Sequence, residues 1–77
     1  MDKKNAQRLN EALQQANYTN YGWTVTLHTP NGKNLHQATF WFAGSTTFVS
    51  NYHPNAKAAK EEAATFALPV VRSTLGV

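Results

Sequence analysis

An alanine-rich stretch, NAKAAKEEAATFAL at residues 55–68, constrains the fold more than any other part of this 77-residue sequence. It contains no glycine or proline, and its alanine, lysine and glutamate residues are strong helix formers. We therefore predict a helix over residues 56–68, with Asn55 as its N-cap and Pro69 marking its end.

Small side chains dominate one face of this predicted helix. At 100° per residue, the face comprises Ala56, Ala59, Ala63, Phe66, Ala67 and Val70. Because small side chains permit a close approach, we expect this face to lie against a β-sheet.

Lys57 and Lys60 fall outside this face, in the first turns of the helix. The helix dipole is already positive there, so the two cations gain nothing from it. A helix start with free N–H groups and two ammonium groups is suited to bind phosphate, although two merely solvated lysines are the alternative interpretation.

Residues 2–17 show a second helical pattern. Its apolar positions are Ala6, Leu9, Leu13 and Ala16, and Asp2 is in position to cap the start. The opposite face is polar and comprises Lys4, Gln7, Glu11 and Gln14. A polar face of this kind is usually only solvated, so taken alone it predicts no function.

The segment between the two helices alternates in the manner of β-strands. The strands are predicted at residues 23–28, 35–43 and 46–52. The Asn-Gly pair in TPNGKN, residues 29–34, and the Gly44-Ser45 pair predict tight turns between them. The predicted order is therefore α-β-β-β-α, an α+β fold with a three-stranded antiparallel sheet.

Short connections make neighbouring strands pair, so both helices are expected to cover the same face of the sheet. That face carries Trp23, Val25 and Leu27 of the first strand, with Phe40 and Phe42 of the second. Alternation then leaves Trp41 on the open face. A tryptophan there either meets a partner or lies over neighbouring threonines.

The composition limits the classes of function. Seven Lys and Arg against four Asp and Glu give a formal charge of +3, which is compatible with a polyanion partner. The absence of cysteine excludes disulfides, thiolate metal ligands and a cysteine nucleophile. No apolar run reaches membrane-spanning length and no signal peptide is evident, so we expect one soluble, intracellular domain without a membrane partner.

With these elements in order, the chain resembles the double-stranded RNA-binding domain family over nearly its whole length. Residues 55–64, NAKAAKEEAA, resemble the family's Ser-Lys-Lys-x-Ala-Lys-x-x-Ala-Ala, and the closing Ala67 and Leu68 are also typical. Leu9, Asn10, Glu11 and Gln14 resemble its Leu-Asn-Glu-x-x-Gln. Residues 40–44, FWFAG, resemble its Val-x-Val-Asn-Gly, and Trp23 resembles the aromatic residue at the start of its first strand.

The resemblance implies binding of duplex RNA by shape and backbone contacts, largely independent of sequence. Carried over position by position, the RNA-binding residues are Gln7, Glu11, Lys33, Asn34, His36, Lys57 and Lys60. The residues of the first helix would meet one minor groove, and the loop at residues 29–36 would meet the next. The lysines of the last helix would contact the phosphates between them. The resemblance implies no cofactor.

The sequence departs from the family's pattern in three respects. Ala56 stands where the family has a first lysine, and Glu61 lies on the lysine-bearing face, where it can offset positive charge. The loop signature Gly-Pro-x-His-x-x-x-Phe fits in two registers, with either Pro30 or His36 aligned to its counterpart. These departures leave open a second function, protein interaction or homodimerisation through the open sheet face at Trp41.

An enzyme is not expected, because the four carboxylates are scattered over helix faces and no cysteine is present. His28, His36 and His53 lack the spacing of metal ligands, although a zinc site assembled from them in space stays open. The sequence begins at a helix and ends with little tail, as a domain excised from a larger RNA-processing or RNA-silencing protein would.

Overall fold

A computed structural model describes residues 4–77 of the chain. Its elements are α1 (Asn5–Gln15), β1 (Tyr21–His28), a 3₁₀ turn (Pro30–Gly32), β2 (Leu35–Phe42), β3 (Thr46–Val49) and α2 (Ala56–Leu75). The predicted order α-β-β-β-α is confirmed, and the strands form an open antiparallel sheet in the order β1-β2-β3. The predicted cap Asp2 lies outside the described residues, and α1 begins after Lys4.

The register of the sheet determines which side chains share a face. Trp23 of β1 lies opposite Phe40 of β2, which lies opposite Phe48 of β3, so these three side chains point to the same side. Phe40 and Phe42 are buried on the side of the helices, as predicted. Trp41 points to the other, open side.

The core lies between this face of the sheet and the two helices. It combines Leu9 and Leu13 of α1, Phe40 and Phe42 of β2, and Ala64, Ala67, Leu68 and Val71 of α2. A second, smaller cluster packs Ala38 of β2 against Ala59 and Ala63 of α2, and Trp23 packs against both clusters. Both helices therefore cover the face predicted from the sequence, and the alanines bring α2 close to β2.

The outer half of β1 is less covered than the alternating pattern predicts. Val25 and Leu27 share the face of Trp23, but their exposed fractions are 37% and 56%. The alanines of α2 meet Ala38 of β2, so the helix lies over the middle of the sheet. The far end of β1, an edge strand, extends beyond this cover.

The last helix continues well past its predicted end at Pro69. Proline cannot donate a hydrogen bond to the carbonyl four residues earlier, and an interior proline costs about 3 kcal/mol. Leu68 and Val71, on either side of this point, are buried in the core, and their packing offsets that cost. The helix ends instead at Leu75 and is capped by Gly76, whose φ of 71° is left-handed and whose N–H donates to the carbonyl oxygen of Arg72 at 2.8 Å. Neither helix in residues 4–77 is long and apolar enough to cross a membrane.

The buried face of α2 differs from the predicted one in its second half. The predicted core residues Phe66 and Val70 are 47% and 41% exposed, whereas Ala64, Leu68 and Val71 are buried. Both sets of positions are compatible with a helical period of 3.6 residues. Packing against the leucines of α1 selects the second set, and the sequence of α2 alone does not contain that information.

The last strand is shorter than predicted because its regular pairing with β2 stops after Val49. At the next position the N–H of Ala38 donates to the side-chain hydroxyl of Ser50 at 2.9 Å. Pairing then resumes between His36 and His53, which exchange backbone hydrogen bonds of 2.7 and 2.8 Å. Between the Thr39–Val49 and His36–His53 pairs, the segment after β3 has one residue more than β2, and this extra residue forms a bulge.

Both predicted hairpin turns are tight reversals built from left-handed residues. Asn31 and Gly32 have φ angles of 55° and 78°, as the Asn-Gly pair predicts. Ala43 and Gly44 have φ angles of 57° and 80° in the second turn. Ala43 therefore adopts a left-handed conformation that Asn and Gly adopt more readily. The double-stranded RNA-binding domain family, which the chain resembles, has Asn at this position and Gly at the next.

Candidate nucleic-acid interface

The start of α1 is held by a carboxylate from α2. The backbone N–H groups of Asn5 and Ala6 donate to the two oxygens of Glu61, at 2.7 and 3.0 Å. The first N–H groups of a helix have no partner within it, and negative charge is favourable at this end of the helix dipole. Glu61 therefore provides the cap that the side chain of Lys4, at the N-cap position, does not provide.

Two further side chains strengthen this connection. Nδ2 of Asn5 donates to Oγ1 of Thr65 at 2.8 Å, and that hydroxyl donates to the carbonyl oxygen of Glu61 at 2.8 Å. We call Asn5, Ala6, Glu61 and Thr65 the interhelix clasp. Because it joins the backbone of α1 to α2, it fixes the first turn of α1 beside the first turns of α2.

The clasp brings three lysines together. Lys4, just before α1, and Lys57 and Lys60 of α2 line a groove together with Gln7 of α1. We call Lys4, Gln7, Lys57 and Lys60 the lysine groove, and all four are exposed. Three of the residues predicted from the sequence, Gln7, Lys57 and Lys60, thus meet at one place.

Lys4 is the member of the groove that the sequence did not single out. In the sequence it is one of several polar residues on the outer face of the first helix. Its proximity to Lys57 arises only from the way α1 docks on α2. With Lys4, the groove contains three lysines. Lys4 therefore adds a third cation in a chain that has Ala56 where the double-stranded RNA-binding domain family has a lysine.

Lys60 also reaches the sheet. Its Nζ lies 6.0 Å from the ring centroid of Trp23, at the outer limit of a cation–π contact. The Trp23 ring in turn contacts Phe40 in the core, with centroids 4.9 Å apart. Through Lys60, the lysine groove is therefore connected to the edge strand β1.

The start of α2 carries positive charge, and the nearest acids of α2, Glu61 and Glu62, lie one turn further along the helix. Asn55 caps it as predicted, since its Oδ1 accepts a hydrogen bond from the N–H of Ala58 at 2.7 Å. The first turn contains no acidic residue, and Lys57 lies within it. The positive potential of this helix end is therefore open to an anion.

The clasp changes the predicted effect of Glu61 on the lysines. Its carboxylate lines the groove beside Lys57 and Lys60, as the sequence suggests. Both of its oxygens, however, accept N–H groups from α1. The positive end of α1 therefore balances part of this negative charge, which leaves more of the lysine charge available.

A second carboxylate fixes the connection that leads into α2. Glu62 accepts a hydrogen bond from the backbone N–H of Asn51, and Nε2 of His53 lies 3.2 Å from the same carboxylate. The hydrogen bond from the Asn51 N–H is the main cause that lowers the pKa of Glu62 below its ordinary value, and the contact with His53 is the second cause. These contacts tie the bulged end of the sheet to α2 and so help to position the turn that bears Lys57.

Glu11, the second predicted contact on α1, lies outside the lysine groove. It is half-buried and lines a separate depression with Arg8, Gln15 and Arg72. Gln7 and Glu11 are four residues apart and therefore lie one turn apart on the same side of α1. Gln7 thus lines the lysine groove, whereas Glu11 lines a separate depression beside two arginines.

The predicted loop contacts are only partly in the loop. Lys33 and Asn34 are exposed between β1 and β2. His36 instead lies in β2, half-buried, with its backbone paired to His53. The loop starts six residues beyond Trp23, or about 20 Å along β1 at 3.3 Å per residue. The loop therefore lies apart from the lysine groove.

The three histidines do not form a cluster. His36 and His53 are neighbours through their backbones, whereas the His28 ring lies edge-on to Tyr52, with centroids 4.7 Å apart. Within residues 4–77, no three His, Asp or Glu side chains are grouped so that they could hold a metal ion.

Trp41 has a packing partner in its own chain. Its ring covers Gly22, its neighbour on β1, so closely that a Cβ at that position would come within 2.4 Å of the ring. The tryptophan is half-buried as a result. Its surroundings on the open face are uncharged and comprise Thr24, Thr26, Gln37, Thr39, Thr47 and Val49.

Searches against protein-family models, curated proteins and solved structures found no match to this chain.

Proposed function

We propose that this domain binds double-stranded RNA through the shape and the sugar-phosphate backbone of the duplex, as the resemblance to the double-stranded RNA-binding domain family implies. The observation that carries the proposal is the lysine groove, which Lys4, Lys57 and Lys60 line together with Gln7. Affinity for phosphate comes from clustered cations and not from average charge. The start of α2, which has no acid in its first turn, adds positive potential at the same place.

In this proposal the lysines contact phosphates on either side of the RNA major groove. The major groove of A-form RNA is too deep and narrow for side chains to read its bases. Each lysine–phosphate contact releases condensed counterions, so binding weakens as salt is raised. Because these contacts touch no base, their loss weakens binding to every duplex by a similar amount.

The 2′-hydroxyl groups of RNA would distinguish it from DNA. The amide of Gln7 can donate a hydrogen bond to a 2′-hydroxyl and accept one from it, and the carboxylate of Glu11 can accept one. Lys33 and Asn34 would meet the next minor groove along the duplex. His36 stays a predicted contact, but as a half-buried residue of β2 it would approach the duplex from the strand next to the loop.

The test is a titration with a duplex RNA of about 20 base pairs, longer than the roughly 16 that such a domain spans. It is run at two salt concentrations, with a DNA duplex of the same sequence as the control. We expect RNA to bind more tightly than DNA and to bind more weakly at higher salt. Equal affinity for RNA and DNA, or no binding of RNA at low salt, would contradict the proposal.

The open sheet face supports a second candidate function, contact with a second copy of the chain. The residues around Trp41 on this face are uncharged, whereas the lysines lie on the side of the helices. Two copies with a formal charge of +3 would repel each other least through an uncharged face. Light scattering tests this candidate, since a dimer should dissociate in Val49→Lys and a monomer at high concentration would exclude it.

A further inference from the structure

Two adjoining grooves lie between the starts of α1 and α2, and the residues that line both are Lys4, Lys57 and Glu61. We infer that Lys4 is the third cation of the phosphate-binding site and that Glu61, through the interhelix clasp, positions it. The inference rests on the proposed function and adds to it one binding residue and one positioning residue that the family resemblance does not supply.

Hydrogen bonds hold the backbone next to Lys4. Its carbonyl oxygen accepts the N–H of Arg8 at 3.0 Å, as the first bond of α1. The next two N–H groups, of Asn5 and Ala6, donate to Glu61. The side chain of Lys4 therefore extends from an anchored point beside Lys57. A ligand that contacts both does not have to order this backbone, which lowers the entropic cost of binding.

The charge in the two grooves favours an anion. Three lysines line them, together with the carboxylates of Glu61 and Glu62. Both carboxylates accept backbone N–H groups from elsewhere in the fold, Glu61 from α1 and Glu62 from Asn51. The ammonium groups are exposed, and the cation–π contact of Lys60 leaves its N–H donors able to bind phosphate.

Two roles for Glu61 predict opposite results when it is replaced. As a nearby negative charge alone, it weakens phosphate binding, and its removal should strengthen binding. As a positioning residue, it holds Lys4 and Gln7 beside Lys57, and its removal should weaken binding although the net charge becomes more positive. The sign of the change in affinity therefore identifies the role.

The first part of the experiment measures the affinity for duplex RNA across a range of salt concentrations. The variants are Lys4→Gln, Lys57→Gln as the reference and Thr47→Gln as the control, because Thr47 is exposed on the open sheet face, opposite the helices. We expect Lys4→Gln to make the negative slope of log K against log salt about one unit shallower, and its loss of affinity to match that of Lys57→Gln within about twofold. Thr47→Gln should leave both the slope and the affinity unchanged.

The second part compares Glu61→Ala with Glu61→Gln, at a temperature where circular dichroism shows both to be folded. We expect both to bind RNA more weakly than the wild type. Glu61→Gln should lose less affinity, because its amide oxygen can still accept one N–H of the clasp. Tighter binding by either variant would overturn the positioning role.

A third titration, with inorganic tripolyphosphate followed through backbone amide resonances, separates this inference from the proposed function. If RNA binds and Lys4→Gln changes neither slope nor affinity, the assignment of Lys4 is wrong and RNA binding stands. If RNA does not bind but tripolyphosphate binds in a manner that depends on Lys4, the site stands and the RNA function is wrong. If neither polyanion binds, both are overturned.

Discussion

The two helices begin under the same physical constraint and meet it in opposite ways. At the start of α1, two N–H groups donate to the carboxylate of Glu61, a negative charge supplied by the other helix. At the start of α2, the cap is the neutral side chain of Asn55, and the first turn carries Lys57 and no acid. The first helix end is therefore closed to an outside anion, and the second is open.

This difference shows why a helix start does not by itself indicate a binding site. Every helix leaves its first N–H groups without partners inside the helix, so the groups that satisfy them decide what the end can do. Glu61 satisfies those of α1 and, in the same contact, brings Lys4 and Gln7 beside the start of α2. The capped start of α1 thus has a structural role, and it positions residues of the candidate site at the start of α2.

The largest effect on stability is expected when the start of α1 loses the carboxylate that caps it. Glu61→Ala removes the acceptor of two backbone N–H groups and should lower the free energy of unfolding by about 1–3 kcal/mol. For a domain of this size each kcal/mol corresponds to about 4–8 °C in Tm. Urea and thermal unfolding would measure both quantities. Glu61→Gln should lie between the wild type and Glu61→Ala, whereas unchanged stability would mean that the core alone holds α1.

A substitution at Asn55 can give the start of α2 a negatively charged cap, as the start of α1 already has. Asn55→Ala removes the cap and should lower the free energy of unfolding by about 1 kcal/mol. Asn55→Asp retains the acceptor oxygen and adds a negative charge at the positive end of the helix dipole, so stability should be kept or raised. The same charge should weaken binding of duplex RNA, because it makes this end resemble the start of α1. Tighter RNA binding by Asn55→Asp would contradict the proposed role of this helix end.

A smaller effect concerns the pH dependence of the connection into α2. The Asn51 N–H and His53 lower the pKa of Glu62 in the folded state. The resulting stabilisation is complete above the ordinary glutamate pKa of about 4.3 and is lost as the pH falls through the lower folded-state pKa. The wild type should therefore exceed Glu62→Gln in stability at neutral pH, and the difference should shrink in acid. Urea unfolding at several pH values would reveal it, and a difference independent of pH would contradict the account.

The order of elements, the strand faces and both turns could be predicted because they depend on local patterns. Alternation assigned Phe40 and Phe42 to the core, and the Asn-Gly pair indicated the first turn. The end of α2 could not be predicted in this way. Pro69 is a local signal to stop, and it is overridden by the burial of Leu68 and Val71 against residues distant in sequence.

The candidate site was predictable only in part. The resemblance identified Gln7, Lys57 and Lys60, which the structure brings together. Lys4 and the clasp of Glu61 were not predictable, because their contacts join the two ends of the chain and no local pattern encodes how α1 docks on α2. The resemblance counted His36 among the loop contacts, whereas the strand predicted at residues 35–43 already included it, and the structure confirms the strand.

The most direct test of the central claim is the salt dependence of duplex RNA binding by the wild type and by a triple variant. Lys4→Gln, Lys57→Gln and Lys60→Gln together remove all three cations of the lysine groove. We predict that the negative slope of log K against log salt becomes about three units shallower and that RNA binding weakens at every salt concentration. RNA binding that persists with an unchanged slope would contradict the account, because it would mean that the duplex is bound elsewhere on the molecule.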